Sequence, residues 1–389
     1  MRDILPGISA HFEVHQYALN PVAAPKTAAW AIHPAVHGDN EKAKLQFLDL
    51  LRQVEPDVIL LVGDIWVVNN HLAMIEDLPS FPIAAYVAID GKGIHSRFIT
   101  HFHRLNQVVA FTEFGRRELD SFLDRVMDKL EPARRKPTII IPHGVDTDFF
   151  QPKGRNDGAT KKELFGDDPS YADSFIVLNA NQNQPRKRID LTMLGFAAFA
   201  KDKPDNVKLY LHMGLQDVGW DIVEMARELS IYDRLIVTSN SAGPPMSSAE
   251  QLRMIYNATD VGINTSTGEG WGLVSFEHAA TGAPQIVPGH SACEELWSGS
   301  AHVLPATNPI IDPSTHVLGY NIHPEDVRMA LENIYSNRGY YKEVADRCYR
   351  KARSNEFSWK RIGQVWGEVL SAGLHNPYFQ GPEAVFDNL

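Results

Sequence analysis

The sequence predicts an α/β protein built from two successive halves, each alternating parallel strands with helices. Three observations predict it. The first is a set of short, continuously apolar runs such as V-I-L-L-V-G-D (58 to 64) and F-I-V-L-N-A (175 to 180). Unbroken apolar runs mark strands covered on both faces, as in parallel sheets. The second is a polar break between Gln151 and Asp173, rich in Gly, Lys and Asp, which reads as a domain boundary. The third is the stretch Asp260 to Trp297, in which an apolar strand, a glycine-rich loop, a helix ending at Thr281-Gly282 and a second strand make one βαβ unit.

Taken in order, the first half opens with a strand near H-F-E-V-H-Q-Y-A-L from His11 and a second at Trp30 to Ile32. A helix from Glu41 to Gln53 leads into the run at 58. Further strands follow at 81 to 90 and 107 to 112, then the helix F-G-R-R-E-L-D-S-F and the strand T-I-I-I-P-H-G-V-D. The second half continues from 175 with a helix from Ile189 to Lys201 and the strand V-K-L-Y-L-H-M-G. The helix I-V-E-M-A-R-E-L, the strand R-L-I-V-T-S and a helix near Ser248 precede the βαβ unit. Near the end, F-S-W (357 to 359) precedes Ile362, Val365, Trp366 and Val369 at helical spacing. Both halves are Rossmann-like, and the central break argues against a barrel of eight even repeats. The expected division is 1–155 joined by a final helix from about 357 to 389, and 156–356.

At 389 residues, 44% hydrophobic and 22% charged, the chain can bury two cores. A formal net charge of -11 argues against a nucleic-acid backbone as the main partner, because such binders usually carry a basic face, though it leaves room for a local basic patch. Cys293 and Cys348 alone make neither a disulfide framework nor a zinc spacing. The amino terminus lacks a secretory apolar region, and no run reaches the ~18 to 20 residues that span a bilayer. The expectation is a cytoplasmic protein, with room for peripheral membrane contact; the oligomeric state is not readable.

The loop of the βαβ unit carries the chemistry. Glycines 268, 270 and 272 flank Glu269 and Trp271, so the chain bends tightly and a ligand can approach the first N–H groups of the following helix. Glu277 follows eight residues after Glu269, one turn inside that helix. Two carboxylates then face the carboxyl end of a parallel strand, where open α/β sheets bind ligands. Taken singly, each also reads as solvated loop or exposed helix surface.

The ordered set E-G-W-G-L-V-S-F-E, a Gly-Ala-Pro turn, an apolar strand and Glu294-Glu295 resembles the E-x7-E motif of retaining GT-B glycosyltransferases of the family-four (glycosyl transferases group 1) type. The segment I-P-H-G-V-D-T-D-F-F-Q-P (141 to 152) is similar to that family's first-domain end. The loop N-A-N-Q-N-Q-P-R-K-R-I-D (179 to 190) is similar to its diphosphate-binding loop. The resemblance implies a GT-B fold, two Rossmann-like domains facing a cleft, and a hexosyltransferase-like enzyme. A nucleotide sugar would bind the second domain as substrate, with no cofactor and no metal. A glycan, lipid or small-molecule acceptor would enter from the first.

In the family's terms Glu269, with the backbone of Gly270, Trp271, Gly272 and Leu273, would hold the sugar and phosphate, and Glu277 the ribose. Lys187 matches the family's diphosphate lysine. Its arginine would fall at Asn181 or Gln182, so Arg186 or Arg188 must supply the charge. Asn183 and Ser239 complete the donor side, with Asn240 beside Ser239. Asp90 or His95 stands where many members carry a sugar-contacting histidine, and Asp64, Trp66 and His143 belong to the acceptor side. The His101-x-His103 pair lacks a third ligand at metal spacing. Tyr210 and Trp220 read as packing residues.

The family normally begins with a strand, a glycine-rich loop and a helix before anything like H-F-E-V-H, so the first domain is expected to miss its first βα unit and leave a sheet edge open. Two other readings remain: a degenerate, non-catalytic sugar-nucleotide-binding protein or subunit, and a GT-B sugar-nucleotide epimerase that needs no acceptor.

Overall fold

The computed structural model describes residues 3–19, 29–36, 38–76, 78, 81–127, 137–154, 158–166, 168–238, 241–243 and 245–375. The chain separates into two compact units. One comprises Met1–Ile89, Gly93–Gly144 and Trp359–Leu389; the other comprises Asp90–Lys92 and Val145–Ser358. The crossing therefore lies at 144/145, ahead of the polar break expected near 155. Trp359 packs over Gly144 within the first unit, while Val145 pairs with Ser358 and Phe150 rests on Tyr256 within the second. Packing sets the boundary earlier than composition does.

In the first unit, β1 (His15–Ala18) and β2 (Ala31–Pro34) form a parallel pair. A separate parallel sheet runs β3 (Ile59–Asp64), β4 (Ile83–Ala88), β5 (Gln107–Ala110) and β6 (Ile139–Ile140), in that order. Side chains of β4 alternate between two cores, as the period of two requires. Ile83, Ala85 and Val87 face Phe47, Leu51 and Val68. Ala84 and Tyr86 face Leu5, Ile8, Trp366 and Leu370, so the final helix Trp359–His375 covers the other side.

The expected open edge is present: β3 has a strand neighbour on one side only among the described residues. A cavity of about 760 Å³ lies against it, lined by His15 to Leu19 and by Val58 to Val62. Consecutive residues of a strand line a cavity only when its backbone edge faces it, because side chains alternate between faces. The cavity is thus bordered by the edges of β1 and β3, with apolar side chains such as Leu5, Phe12, Phe47 and Val68 above and below.

In the second unit six parallel strands form one sheet. They are β7 (Phe175–Asn179), β8 (Val207–Leu211), β9 (Leu235–Val237), β10 (Val261–Ile263), β11 (Gln285–Pro288) and β12 (His302–Leu304). Their spatial order is β12-β11-β10-β7-β8-β9. The chain works outward from β7 to β9, then returns to the other side of β7 with β10. The order of strands reverses between β7 and β10, a switch point of the kind at whose carboxyl side open α/β sheets bind ligands. An antiparallel hairpin, β13 (Ala306–Ile311) and β14 (Leu318–Ile322), was not anticipated from the sequence. Its backbone is docked on the acidic loop, Tyr320 N–H donating to the Thr267 carbonyl at 3.0 Å.

Helices Ile189–Ala200 and Pro324–Ser336 pack so closely that a Cβ on Gly195 would overlap the fully buried Val327. Gly195→Ala is expected to lower unfolding free energy by about 1–3 kcal/mol through overpacking. Adding Val327→Ala in the same chain should cost less than Val327→Ala alone costs in the wild type. Strict additivity of the two changes in denaturant titrations would sink this account.

Candidate functional site

The loops that leave β7 and β10 lie side by side, because the two strands pair in the sheet. A directed run of hydrogen bonds sews them together. Asn179 Nδ2 donates to Thr192 Oγ1 at 2.9 Å, and Thr192 Oγ1 meets Thr265 Oγ1 at 2.8 Å. Thr265 Oγ1 lies 2.9 Å from the Arg188 carbonyl and 3.1 Å from that of Lys187. The Thr267 N–H donates to the Arg186 carbonyl at 2.8 Å. The Arg186, Lys187 and Arg188 carbonyls are thus held by Thr265 and Thr267, from the Asn-Thr-Ser-Thr run that directly follows β10 and that the sequence reading passed over.

These bonds hold two cations against two carboxylates. Lys187 Nζ forms a short ion pair with Glu269, and both side chains are nearly buried, 11% and 7% exposed. Arg186 donates through Nη1 to the Gly268 carbonyl, approaches Glu269 Oε2 at 3.5 Å and reaches Asp90 Oδ2 from Nε at 3.4 Å. Asn264 Nδ2 donates to Glu269 Oε1 at 3.2 Å. Gly268 is required here, since a Cβ would strike the Asp90 carbonyl.

Burial by itself raises the Glu269 pKa, but the charges of Lys187 and Arg186 more than offset it and hold the carboxyl at about 2. Asp90 keeps 27% of its side chain exposed. Its pKa is raised, chiefly by desolvation, with Arg186 opposing and Glu269 assisting.

The two arginines expected to supply the diphosphate charge take different positions. Arg186 joins the cluster, whereas Arg188 turns aside at a positive φ of 48°. Arg188 grips Asp190 through two bonds of 3.0 and 2.7 Å, and bonds Asn321 of the hairpin. Glu277, half-buried in the helix Leu273–Ala280, accepts from the Tyr256 hydroxyl at 2.9 Å. Gly272 stands at the start of that helix with φ 91°, a left-handed conformation that favours glycine. The Trp271 ring is a core group, stacked on Phe276 at 4.8 Å and edge-on to Phe357, so only its backbone faces the loop chemistry. Leu273 is 39% exposed beside it.

Other expected residues take different parts. Asn183 is fully buried and its amide is spent inside the unit. It donates to the Gly214 and Trp220 carbonyls at 3.0 and 2.7 Å and accepts from Trp220 N–H at 3.0 Å. It staples two loops, a correction to its donor-side assignment that follows from a fully satisfied, solvent-free amide. Asn181 is likewise buried on Asn179, while Gln182 bonds Asp217 at 3.0 Å. Tyr210 is buried as expected. Ser239 and Asn240 lie outside the described residues.

In the first unit, Asp64 ends β3 and precedes the helix Ile65–Met74. Trp66 is 38% exposed and lies 6.0 Å from Phe98, whose other neighbour is His95 at 6.3 Å. Three acceptor-side expectations, Asp64, Trp66 and His95, therefore fall near the carboxyl ends of β3 and β4. His143 differs: it stacks on Phe111 at 5.0 Å, meets the Trp359 edge at 4.6 Å, and burial drives its pKa down to about 3. A ring held neutral among aromatics is a packing group, and its assignment to the acceptor side is corrected accordingly. His101 and His103 join no set of three metal-ligating side chains among the described residues. No helix among the described residues is long and apolar enough to cross a membrane.

Glu269→Gln should destabilise the protein by about 3–5 kcal/mol at pH 7, because it leaves the buried Lys187 ammonium unpaired. The Glu269 carboxyl sits below its ordinary 4.5, so its contribution is complete above pH 4.5 and is lost as pH falls toward 2. The gap between wild type and Glu269→Gln in urea titrations should narrow across that window. A gap independent of pH from 5 down to 2 would contradict the pairing.

No protein-family model matches the chain. Among curated proteins it is 24% identical over 238 residues to mannosylfructose-phosphate synthase of Agrobacterium fabrum, covering 59% of this chain and 47% of that protein. The matched part spans about half the length of the curated relatives. Among solved structures, sucrose-phosphate synthase of Thermosynechococcus elongatus aligns with a TM-score of 0.67 at 16% identity, over 95% of this chain and 90% of that one. The Anabaena protein HepE, solved in complex with UDP, aligns with a TM-score of 0.62 at 14% identity, over 88% and 86%. With two parallel-sheet units and a sheet order that reverses at β7 and β10, the chain has the GT-B fold, and the E-x7-E loop and helix at that reversal resemble those of the family-four (glycosyl transferases group 1) type.

Proposed function

We propose that the protein transfers a sugar from a nucleoside diphosphate donor to an acceptor hydroxyl with retention at the anomeric carbon. The observation that carries this is the Lys187–Arg186 pair at the strand-order reversal, held by Glu269 and Asp90 and followed by Glu277 in the next helix. The bond that breaks joins the anomeric carbon to the diphosphate. The bond that forms joins that carbon to the acceptor oxygen, whose proton passes to the departing phosphate on the same face.

Charge develops on the leaving diphosphate, and preorganised cations in a water-poor site stabilise it far more than they would in water. Lys187 and Arg186 are two such cations. Glu269 and Asp90 balance their charge, and the diphosphate would compete with these carboxylates for the same cations. Glu277 takes the donor ribose, exchanging its bond from Tyr256. The acceptor is held by the first unit, on the side of Asp64, Trp66 and His95. Support for the donor class comes from the motif and from HepE, a protein of like fold that was solved with UDP.

Two measurements test the reading. Screening nucleoside diphosphates for thermal stabilisation should find one that stabilises the wild type by about 2.7 kcal/mol at ~100 times its dissociation constant. Glu277→Ala should abolish that gain, and an undiminished gain removes Glu277 from the donor site. With the matching nucleotide sugar, Lys187→Ala should lower kcat by roughly 10²- to 10³-fold, the scale of one lost transition-state donor. Nucleotide binding without transfer or donor hydrolysis, across a panel of sugars and acceptors, would replace this reading with that of a non-catalytic sugar-nucleotide-binding protein.

A further inference from the structure

The turn after β11 carries two residues that neither the motif nor the cluster above accounts for, His290 and Ser291. His290 is 5% exposed, and its Nε2 lies 2.8 Å from the Ser266 carbonyl. A carbonyl only accepts, so Nε2 carries the proton and Nδ1 of the neutral ring is an acceptor. Ser291 Oγ lies 3.0 Å from that Nδ1 and must donate to it. The same Oγ then accepts from the Glu269 N–H at 3.1 Å. The Ala292 N–H closes the clip by donating to the Glu269 carbonyl at 3.2 Å. Both ends of the Ser266–Glu269 loop are therefore tied to one turn, and every proton in the run has a single consistent direction.

The backbone at Ser291 adds an independent observation. Its φ is 48°, in the left-handed region that a residue with a Cβ enters only at a cost. Glycine would hold this conformation without strain but has no hydroxyl. Persistent strain at such a position marks a place where the side chain is needed.

We propose that His290 and Ser291 are positioning residues for sugar transfer: through the Nδ1–Oγ–N–H run they fix the Glu269 backbone, and through Glu269 the Lys187 and Arg186 charges on which the leaving diphosphate depends. The inference rests on the transferase reading above. Neither residue touches the reacting atoms. They hold the acidic loop in the one geometry in which its carboxylate meets both cations, and misplacement of about 1 Å in such a group costs on the order of a hundredfold in rate.

The experiment compares the wild type with Ser291→Gly, His290→Gln and His290→Ala. Each is measured for thermal midpoint, for UDP and other nucleoside diphosphate binding by calorimetry, and for turnover. Ser291→Gly relieves the strained backbone and removes the hydroxyl, so its Tm should equal or exceed that of the wild type. Its kcat should nevertheless fall by about tenfold or more while donor KM changes by less than about threefold. His290→Gln keeps one donor and one acceptor and should recover most of the turnover that His290→Ala loses. Wild-type kcat in Ser291→Gly, or a Gln variant as slow as the Ala variant, overturns the positioning role while leaving the transferase reading intact. A wild type that binds no nucleoside diphosphate overturns both.

Discussion

The second unit depends on the compensation of charge between Lys187 and Glu269. Both side chains are nearly buried, and taking an ammonium or a carboxylate out of water costs several kcal/mol. Together, with Arg186 on the second carboxylate oxygen and Asn264 on the first, they satisfy one another. Buried ion pairs of this kind add little net stability compared with apolar residues of the same volume. This pair lies at the carboxyl edge of the sheet, the place where open α/β sheets bind ligands, and that position rather than stability is the ground for the role proposed for it above.

The surroundings of the pair follow from that constraint. Charges in a low-dielectric crevice act strongly only if they cannot turn away, so the loop is anchored from three directions. Thr265 and Thr267 bind the backbone that carries Arg186, Lys187 and Arg188. His290 and Ser291 bind the loop from the β11 side, and the β13–β14 hairpin binds it through Tyr320, while Asn321 of the hairpin accepts from Arg188 in the neighbouring loop. Two non-glycine residues, Arg188 and Ser291, adopt left-handed backbone conformations in these anchors. Strain of this sort persists where surrounding bonds overdetermine a conformation.

The first unit is organised by a different constraint, the burial of apolar area on both faces of a parallel sheet. Tyr86, fully buried in β4, packs against Phe111 and Trp366 and donates its hydroxyl to the Pro142 carbonyl at 2.9 Å. The final helix is held through Trp366 and Val369, so the last described segment of the chain belongs to the first core. Among the described residues the same sheet presents an open edge at β3 with the cavity beside it.

Alternation of apolar runs and helical spacings was sufficient to place most strands of both parallel sheets, because burial on two faces imposes a composition that can be read locally. Glu269 and Glu277 were singled out by glycine spacing and a strand-loop-helix change of period, and Lys187 by its place in a loop similar to the family's diphosphate-binding loop. What the sequence could not decide was which cation completes the cluster, since Arg186 and Arg188 are two residues apart and differ only in backbone dihedral. Nor could it show that Asn183 and His143 are consumed by packing, or that Thr192, Asn264, His290 and Ser291 hold the loop. Those assignments depend on contacts between segments tens of residues apart, and hydrogen-bond direction exists only once tertiary structure brings donor and acceptor together.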